Sequence, residues 1–505
     1  FDGVASYWKN LPLMQRMQQH QLQRRQHHLG RQEHQKLDDK EEEEEEAVLK
    51  FWEDVKPPSF VITDKEEKRK NREILDDYNK KGAHVTHFCF LVHGHRGFRK
   101  DLSYLQTVMG LMADQKKRSL VGEAFRHDIV VHSAVCNEHR TTDGVVNGGK
   151  RLVEEMLDTI RTAMEQRPTP PAAKGTPNQP QLRDVTISIV GNSLGGLYAR
   201  YAIAQFQNFV PRNDHGDNVL DGKYRIHFNV FCTTASPHLG LSKHTYLPLP
   251  RSAEIGLAHT MGNTGKDLFR LNDLMKTMAT TPEFLKPLGN FRKRLAYANA
   301  YGTDFPVPAE TAAFLSAESN YPHHFVEDSE QGGDCVVVDG TGLVIATMQT
   351  PPLGDEGTPR QIDQENTDDL VHMSRALDSL GWKKVFVDIR NEIPYRMSLP
   401  RLSSRRIPTF EDSSSSEEEQ PPALSSLDAL KQKKVVCSKD VASAITTPAD
   451  DDGKVVWPMG HNMIVAFSRD KYSTRMNKGG RPVVDALAKE LVDDIFSWES
   501  PNKPI

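Results

Sequence analysis

Apolar runs along the chain alternate with helical periodicities, and polar stretches interrupt both. Phe88–Val92, Ile129–Val135, Val185–Val190, Ile226–Cys232, Leu295–Ala300, Lys383–Ile389 and Asn462–Phe467 are rich in Val, Ile, Phe and Ala. Their near-continuous apolarity, rather than strict alternation, predicts strands covered on both faces. Between them, Val153, Met156, Leu157, Ile160 and Met164 follow the spacing of an amphipathic helix, and Val484, Leu487, Leu491, Ile495 and Trp498 do so again near the end of the chain. Strand–helix alternation of this kind predicts an α/β architecture, a mostly parallel central sheet with helices on both faces.

The polar stretches set the expected domain organisation. Residues 1–80 read as a polar extension, largely disordered or helical, in which Gln15–Lys40 is mainly Gln, His, Arg and charged residues and Glu41–Glu46 is an acidic run. Its histidines (His20, His27, His28, His34) follow no zinc-ligand spacing and read as a solvated helix or coil. One domain is expected over 84–498, with polar insertions at about 168–181, 349–369 and 396–452. Segments this polar bury too little apolar surface to offset their ordering entropy. The last holds Ser413–Ser416 followed by Glu417–Glu419. Phosphorylation of that tract by an acidophilic kinase is one expectation; a plain insertion is the other.

Composition sharpens this picture. Of 505 residues, 37% are hydrophobic and 26% charged. The apolar share lies below the usual ~45–50%, a benchmark that also counts glycine, and the polar stretches account for the deficit. Sixty-four Lys and Arg against 69 Asp and Glu leave a net charge of −5, so no basic field points to nucleic acid. No run approaches the ~18 consecutive apolar residues of a membrane helix. Five scattered cysteines (Cys89, Cys136, Cys232, Cys335, Cys437) suit a reducing compartment better than a disulfide framework. The expectation is therefore a cytoplasmic protein. Because the chain starts at Phe1 rather than methionine, an organelle-targeting segment ahead of it stays open.

The chemistry concentrates in Thr186–Ala204, an apolar strand, then Gly191-Asn192-Ser193-Leu194-Gly195, then a helical pattern. This is G-x-S-x-G in the strand–turn–helix context that gives it meaning. The turn holds the serine in a strained conformation, so Gly191 and Gly195 must be small, and the helix N-terminus favours developing negative charge. A second donor of an oxyanion hole needs another loop. His93-Gly94-His95-Arg96-Gly97 follows the first apolar run and resembles the His-Gly turn of lipases and esterases, which makes the N–H groups of His95 and Leu194 the expected donors. Gly-rich phosphate binding is excluded, because no G-x-x-x-x-G-K-[ST] is present.

A serine nucleophile needs a base, and the base an orienting acid, in chain order Ser, Asp or Glu, His. Asp304, just beyond Leu295–Ala300, is the leading acid, with Asp267 and Asp334 as alternatives. His461, late in the chain and ahead of the final helix, is the leading base, with His323 and His324 as alternatives. The region from Lys243 to Arg294 has scattered apolar positions that suit either a helical cap over the cleft or packing against the sheet.

Several segments in order resemble the putative serine esterase family of lipase-like α/β-hydrolases: LVHGHRG, TTDGVVNGGKRLVEEM, IVGNSLGGLYARYAI, FCTTASPHLGL, GKDLFRLND, LAYANAYGTDFPVPAETAAF, YPHHFV and GHNMIV. The resemblance spans roughly His84 to Asp494 and implies the α/β-hydrolase fold and a triad of Ser193, Asp304 and His461. It also implies lipid or other carboxylic esters as substrates, with no cofactor or metal. The departures are Asn192 where the family usually has histidine, His95 where leucine is common, and the D-x-x-V-P run as Asp304-Phe305-Pro306-Val307-Pro308. Two other readings stand beside ester hydrolysis: a thioesterase or acyltransferase with the same triad, and a catalytically silent hydrolase-fold scaffold. A lipid substrate would call for peripheral contact with a lipid surface, although no anchor or basic amphipathic helix is evident. Oligomeric state stays open.

Overall fold

Among the described residues ten strands form one sheet: β1 (Val85–Val92), β2 (His127–Ser133), β3 (Arg183–Asn192), β4 (Asn218–Leu220), β5 (Tyr224–Thr234), β6 (Lys293–Asn299), β7 (Pro322–Phe325), β8 (Val344–Gln349), β9 (Lys383–Val387) and β10 (Val435–Cys437). This is a computed structural model that describes residues 65–80, 83–120, 126–168, 182–244, 249–326, 343–352, 368–393, 427–433, 435–446 and 459–499. The chain divides into two units, Phe1–Lys68 and Arg69–Ile505. Only the first turn of the helix Lys65–Lys80 is described in the first unit; the sheet, core and candidate site belong to the second.

The strand order is β2-β1-β3-β5-β6-β9-β8-β7-β10, with β4 paired to β5 as a hairpin. From β2 to β9 every neighbour is parallel. Beyond β9 the pairing turns antiparallel through β8, β7 and β10. The expected mostly parallel sheet is therefore present. The apolar runs explain it: β1 is buried at every residue and β3 at all but its first two, as strands covered on both faces must be.

Alternate residues of β1 divide the core. Phe88, Phe90 and Val92 join a cluster with Leu152, Met156 and Ile160 of the helix Val145–Gln166 and Leu197 and Ile203 of the helix Leu194–Phe206. On the other face, His87 meets Trp498, and Tyr297 of β6 donates to Glu490 of the helix Arg481–Phe496. Both predicted helical stripes are buried, including Leu487, Leu491 and Ile495. Each fully buried side chain of this kind stabilises by ~1.5–3 kcal/mol.

Two expectations change. Asn462–Phe467 is not a strand: Gly460–Met463 is a short helix followed by a turn, because an apolar run this short suits either state. Residues 427–446, inside the expected insertion at 396–452, form the helix Leu427–Lys431, edge strand β10 and the helix Ser438–Thr446. Leu427, Leu430, Val436, Val441 and Ile445 are buried there, enough apolar surface to dock this piece on β7. Residues 169–181, 353–367 and 394–426, with the Ser413–Ser416 tract, lie outside the described residues, as do 1–64, Asp334 and Cys335. Cys89, Cys136, Cys232 and Cys437 are free thiols.

The region from Lys243 to Arg294 divides likewise. Met275, Met278, Phe284 and Leu288 are buried in the core, whereas Ile255 and Leu257 of the helix Arg251–Thr260 are 38% and 40% exposed. No described helix is long and apolar enough to cross a membrane.

Candidate active site

The strands β3 and β5 end level with one another, since Asn192 pairs with Thr234, and β6 runs two residues past Tyr297, the partner of Thr234. Ser193 follows β3 directly, at φ 54° and ψ −126°, and caps the helix Leu194–Phe206. Left-handed φ at a residue other than glycine costs ~1–3 kcal/mol and is held only by its surroundings. Here the serine N–H donates to Thr234 O at 2.9 Å. The glycines explain the rest of the motif. A Cβ at Gly191 would lie 2.5 Å from Gly196 Cα, and one at Gly195 2.2 Å from Val92 O. Gly94 abuts the nucleophile itself: a Cβ there would come within 2.7 Å of Ser193 Cβ. Asn192, the departure beside the serine, accepts from Thr234 Oγ1 at 3.0 Å.

Asp304 follows β6, fully buried, and both of its oxygens lie 3.1 Å from His461 Nδ1. A carboxylate only accepts, so Nδ1 carries a proton, and in the neutral ring that tautomer leaves Nε2 as the acceptor. Each oxygen has a second donor, Val307 N–H at Oδ1 and Asn299 Nδ2 at Oδ2, both at 2.9 Å. Those bonds fix the carboxylate before the histidine meets it. The backbone brings the histidine in closely: Gly460 N–H donates to Thr303 O at 2.7 Å, and a Cβ at Gly460 would meet that same oxygen at 2.7 Å.

From Gly460 beside β6 the chain reaches the exit of β1 by Ser468, whose hydroxyl meets Ser103 Oγ at 2.9 Å. In the strand order β5 and β3 lie between these points, so the segment that begins with His461 crosses the edge on which Ser193 stands. The structure thus joins Asp304 to His461 directly and sets Ser193 on the same edge of the sheet. No hydrogen bond joins Ser193 Oγ to the imidazole, a contact that in ligand-free enzymes often tightens only around substrate.

The turn after β1 faces the elbow. Gly97 N–H returns to Gly94 O at 3.0 Å, and Arg96 within it has φ 53°. Among the described residues, no acceptor takes the N–H of His95 or Leu194. Burial holds the imidazoles of His93 and His95 below the usual histidine range, with the Arg96 charge adding to the effect at His95.

The alternative residues go elsewhere. His323 is buried on β7, where its Nε2 lies 2.9 Å from Lys384 Nζ, and burial with that ammonium pushes its pKa down to about 2. His324 is exposed beside it and paired with Val435 and Gln349 on neighbouring strands. Asp267 accepts from Val145 N–H at 2.8 Å and anchors the helix Val145–Gln166. None of these touches His461. Among the described residues no set of three or more His, Cys, Asp or Glu side chains is gathered to hold a metal ion.

Residues 83–316 match the family model described as putative serine esterase (DUF676). That segment, under half of the chain, is similar to the putative serine esterase family. Its fold, a mostly parallel sheet with surrounding helices, is α/β-hydrolase-like. The chain is 24% identical to the putative lipase ROG1 of Saccharomyces cerevisiae over 330 residues, 64% of this chain and 40% of that relative. It is 28% identical to the putative lipase C4A8.10 of Schizosaccharomyces pombe over 239 residues, 45% of this chain and 26% of the relative. The chain therefore spans less than half the length of either. Within the matched residues 83–316 lie His95, Ser193, Leu194 and Asp304; His461 lies beyond them.

Sequence reasoning missed the supports of this edge: Asn299, which holds Asp304, and Thr141, Asp101 and Arg469 around the Gly94–Gly97 turn. Asn299 stands inside the quoted segment LAYANAYGTDFPVP, two residues before the strained Tyr301. Thr141 opens the quoted segment TTDGVVNGGKRLVEEM, whereas Asp101 and Arg469 carry no motif and become visible only through space.

Proposed function

We propose that this protein is a serine hydrolase that cleaves carboxylic esters, lipid esters foremost, with Ser193 as nucleophile, His461 as base and Asp304 as orienting acid. One observation carries the reading: His461 presents Nδ1 to both oxygens of a buried carboxylate, on the edge where Ser193 holds a strained elbow. The printed names of the two yeast relatives supply the word lipase.

In this reading His461 Nε2 takes the Ser193 proton as Oγ attacks the ester carbonyl carbon. Asp304 stabilises the imidazolium that forms. The N–H groups of His95 and Leu194 receive the tetrahedral oxyanion, with ~2.7–3.1 Å as the productive distance. Collapse expels the alcohol, which takes its proton from His461. Water, activated by the same imidazole, then attacks the acyl-serine and releases the acid. These steps need no metal or organic cofactor, and a lipid substrate brings the chain to a lipid surface by peripheral contact.

The test is turnover of a p-nitrophenyl ester and of acylglycerol vesicles by the wild type and by Ser193→Ala. The expected result is loss of both activities to background with the unfolding temperature kept. Ester turnover undiminished in Ser193→Ala contradicts the reading.

A further inference from the structure

Arg96 is the third residue of the four-residue turn Gly94–Gly97, and its left-handed φ of 53° is a conformation that suits glycine better than arginine. Two polar contacts hold it there from opposite sides. Its N–H donates to Thr141 Oγ1 at 2.8 Å, and its carbonyl accepts from Arg469 Nη2 at 3.0 Å. Thr141 is buried and anchored in turn: its carbonyl accepts from Thr264 Oγ1 at 2.7 Å and from Tyr198 Oη at 3.3 Å.

The Arg469 side is more heavily built. Its Nε and Nη2 each reach a different oxygen of Asp101 at 2.8 Å, a fork-to-fork pair with a carboxylate that is 3% exposed. The guanidinium lies 4.4 Å from the Phe98 ring centre and 5.0 Å from that of Phe467. Asp101 also accepts from Phe98 N–H at 2.9 Å. One planar cation thus links the segment that begins with His461 to the turn that carries His95. A lysine could not copy it, since a single ammonium lacks the fork that serves Asp101 and the Arg96 carbonyl together.

We propose that Arg469 is a positioning residue. It clamps the Arg96 carbonyl, keeps the Gly94–Gly97 turn in its left-handed form, and so sets the His95 N–H for the oxyanion while registering the His461 segment over Ser193. The assignment rests on the reading of Ser193, His461 and His95 given above. Without the clamp, Arg96 relaxes toward negative φ, the peptide between His95 and Arg96 rotates, and the linked change at the His95 backbone carries the His95 N–H out of its place.

The test is a double-mutant cycle in the full chain, with p-nitrophenyl butyrate as substrate and a fluorophosphonate to count active Ser193. Arg469→Lys is expected to lower kcat by about 10²-fold per labelled site, as a misplacement of ~1 Å can, with KM changed less than threefold. Thr141→Val, which removes the opposite contact, is expected to give the same signature, and it keeps the proposal testable if Arg469→Lys fails to fold. The decisive variant is Arg96→Gly, because glycine adopts the left-handed turn without a clamp. In that background the kcat loss from Arg469→Lys is expected to shrink to less than tenfold. A merely structural role predicts otherwise: a lowered unfolding temperature with either unchanged kcat per labelled site or kcat losses that add in the double variant. Any of the last two results overturns the positioning role while leaving the esterase reading in place. A wild type that neither hydrolyses the ester nor takes the label overturns the esterase reading and the positioning role with it.

Discussion

The two edges of the parallel sheet are built on opposite terms. At the carboxyl edge, β1, β2, β3, β5 and β6 are each followed by a left-handed residue other than glycine: Arg96, His139, Ser193, Ala235 and Tyr301. At the amino edge, side chains are paired off. His227 and Arg225 share Asp184, Lys117 and Arg167 share Asp128, Lys293 holds Asp494 and Lys383 holds Glu490. Histidines make the contrast plain. His87 spends both ring nitrogens, on Thr186 at 2.6 Å and His127 at 2.9 Å, whereas His461 spends Nδ1 on Asp304, and Nε2 is the atom assigned to the proposed reaction. At the carboxyl edge a strained residue follows five strands of the sheet, and at the amino edge charged side chains are matched in ion pairs.

The largest effect should come from breaking the carboxyl edge at its carboxylate. Asp304→Asn keeps the shape but favours the wrong imidazole tautomer, and kcat for ester hydrolysis should fall by about 10⁴-fold. Thermal unfolding should move little by comparison; a kcat within tenfold of wild type would mean that the Asp304–His461 pair is structural. Next is Gly195→Ala, whose methyl would meet Val92 O at 2.2 Å. Forced overpacking of this kind costs ~1–3 kcal/mol, to be read from denaturant midpoints. Asn299→Ala should come third. It removes one of two preset donors to Asp304, and a hydrogen bond to a charged group is worth ~1.5–3 kcal/mol, so kcat should drop about tenfold or more with KM kept.

The smallest effect tests the amino edge through pH. Burial lowers the pKa of His127 to about 4, and His87 lies well below the usual range through burial and the neighbouring His127 and His227. In the unfolded chain both titrate near 6.5. Between those values the unfolded state binds more protons, so stability should fall as the pH drops from about 6.5 toward 4. His127→Gln should flatten that limb of the unfolding temperature against pH. An unchanged limb would place the acid sensitivity elsewhere.

How much of this was legible in the chain depended on whether a residue acts along the sequence or across space. Strands β1, β3, β5, β6 and β9 announce themselves, because burial on both faces leaves an unbroken apolar run. The antiparallel edge does not: β8 reads VIATMQ and β10 only VVC, too short or too mixed to separate from their surroundings. Asn462–Phe467 misled for the reverse reason, since its apolar positions serve a helical turn and the segment after it. At the site, Ser193, Asp304 and His461 could be named from a motif and a chain order, and the structure brings the last two into contact. Thr141, Asp101 and Arg469 could not. Their meaning lies in which backbone groups they reach, and Arg469 finds its carboxylate on a segment from the far end of the domain.

Covalent labelling reads most directly whether Ser193 is a nucleophile. The full chain is treated with a fluorophosphonate and the modified peptide identified by mass spectrometry. The predicted result is a single phosphonylated residue, Ser193, formed in wild type, absent in Ser193→Ala and formed far more slowly in His461→Ala. A wild-type chain that stays unlabelled, or a label carried by another serine, would contradict it.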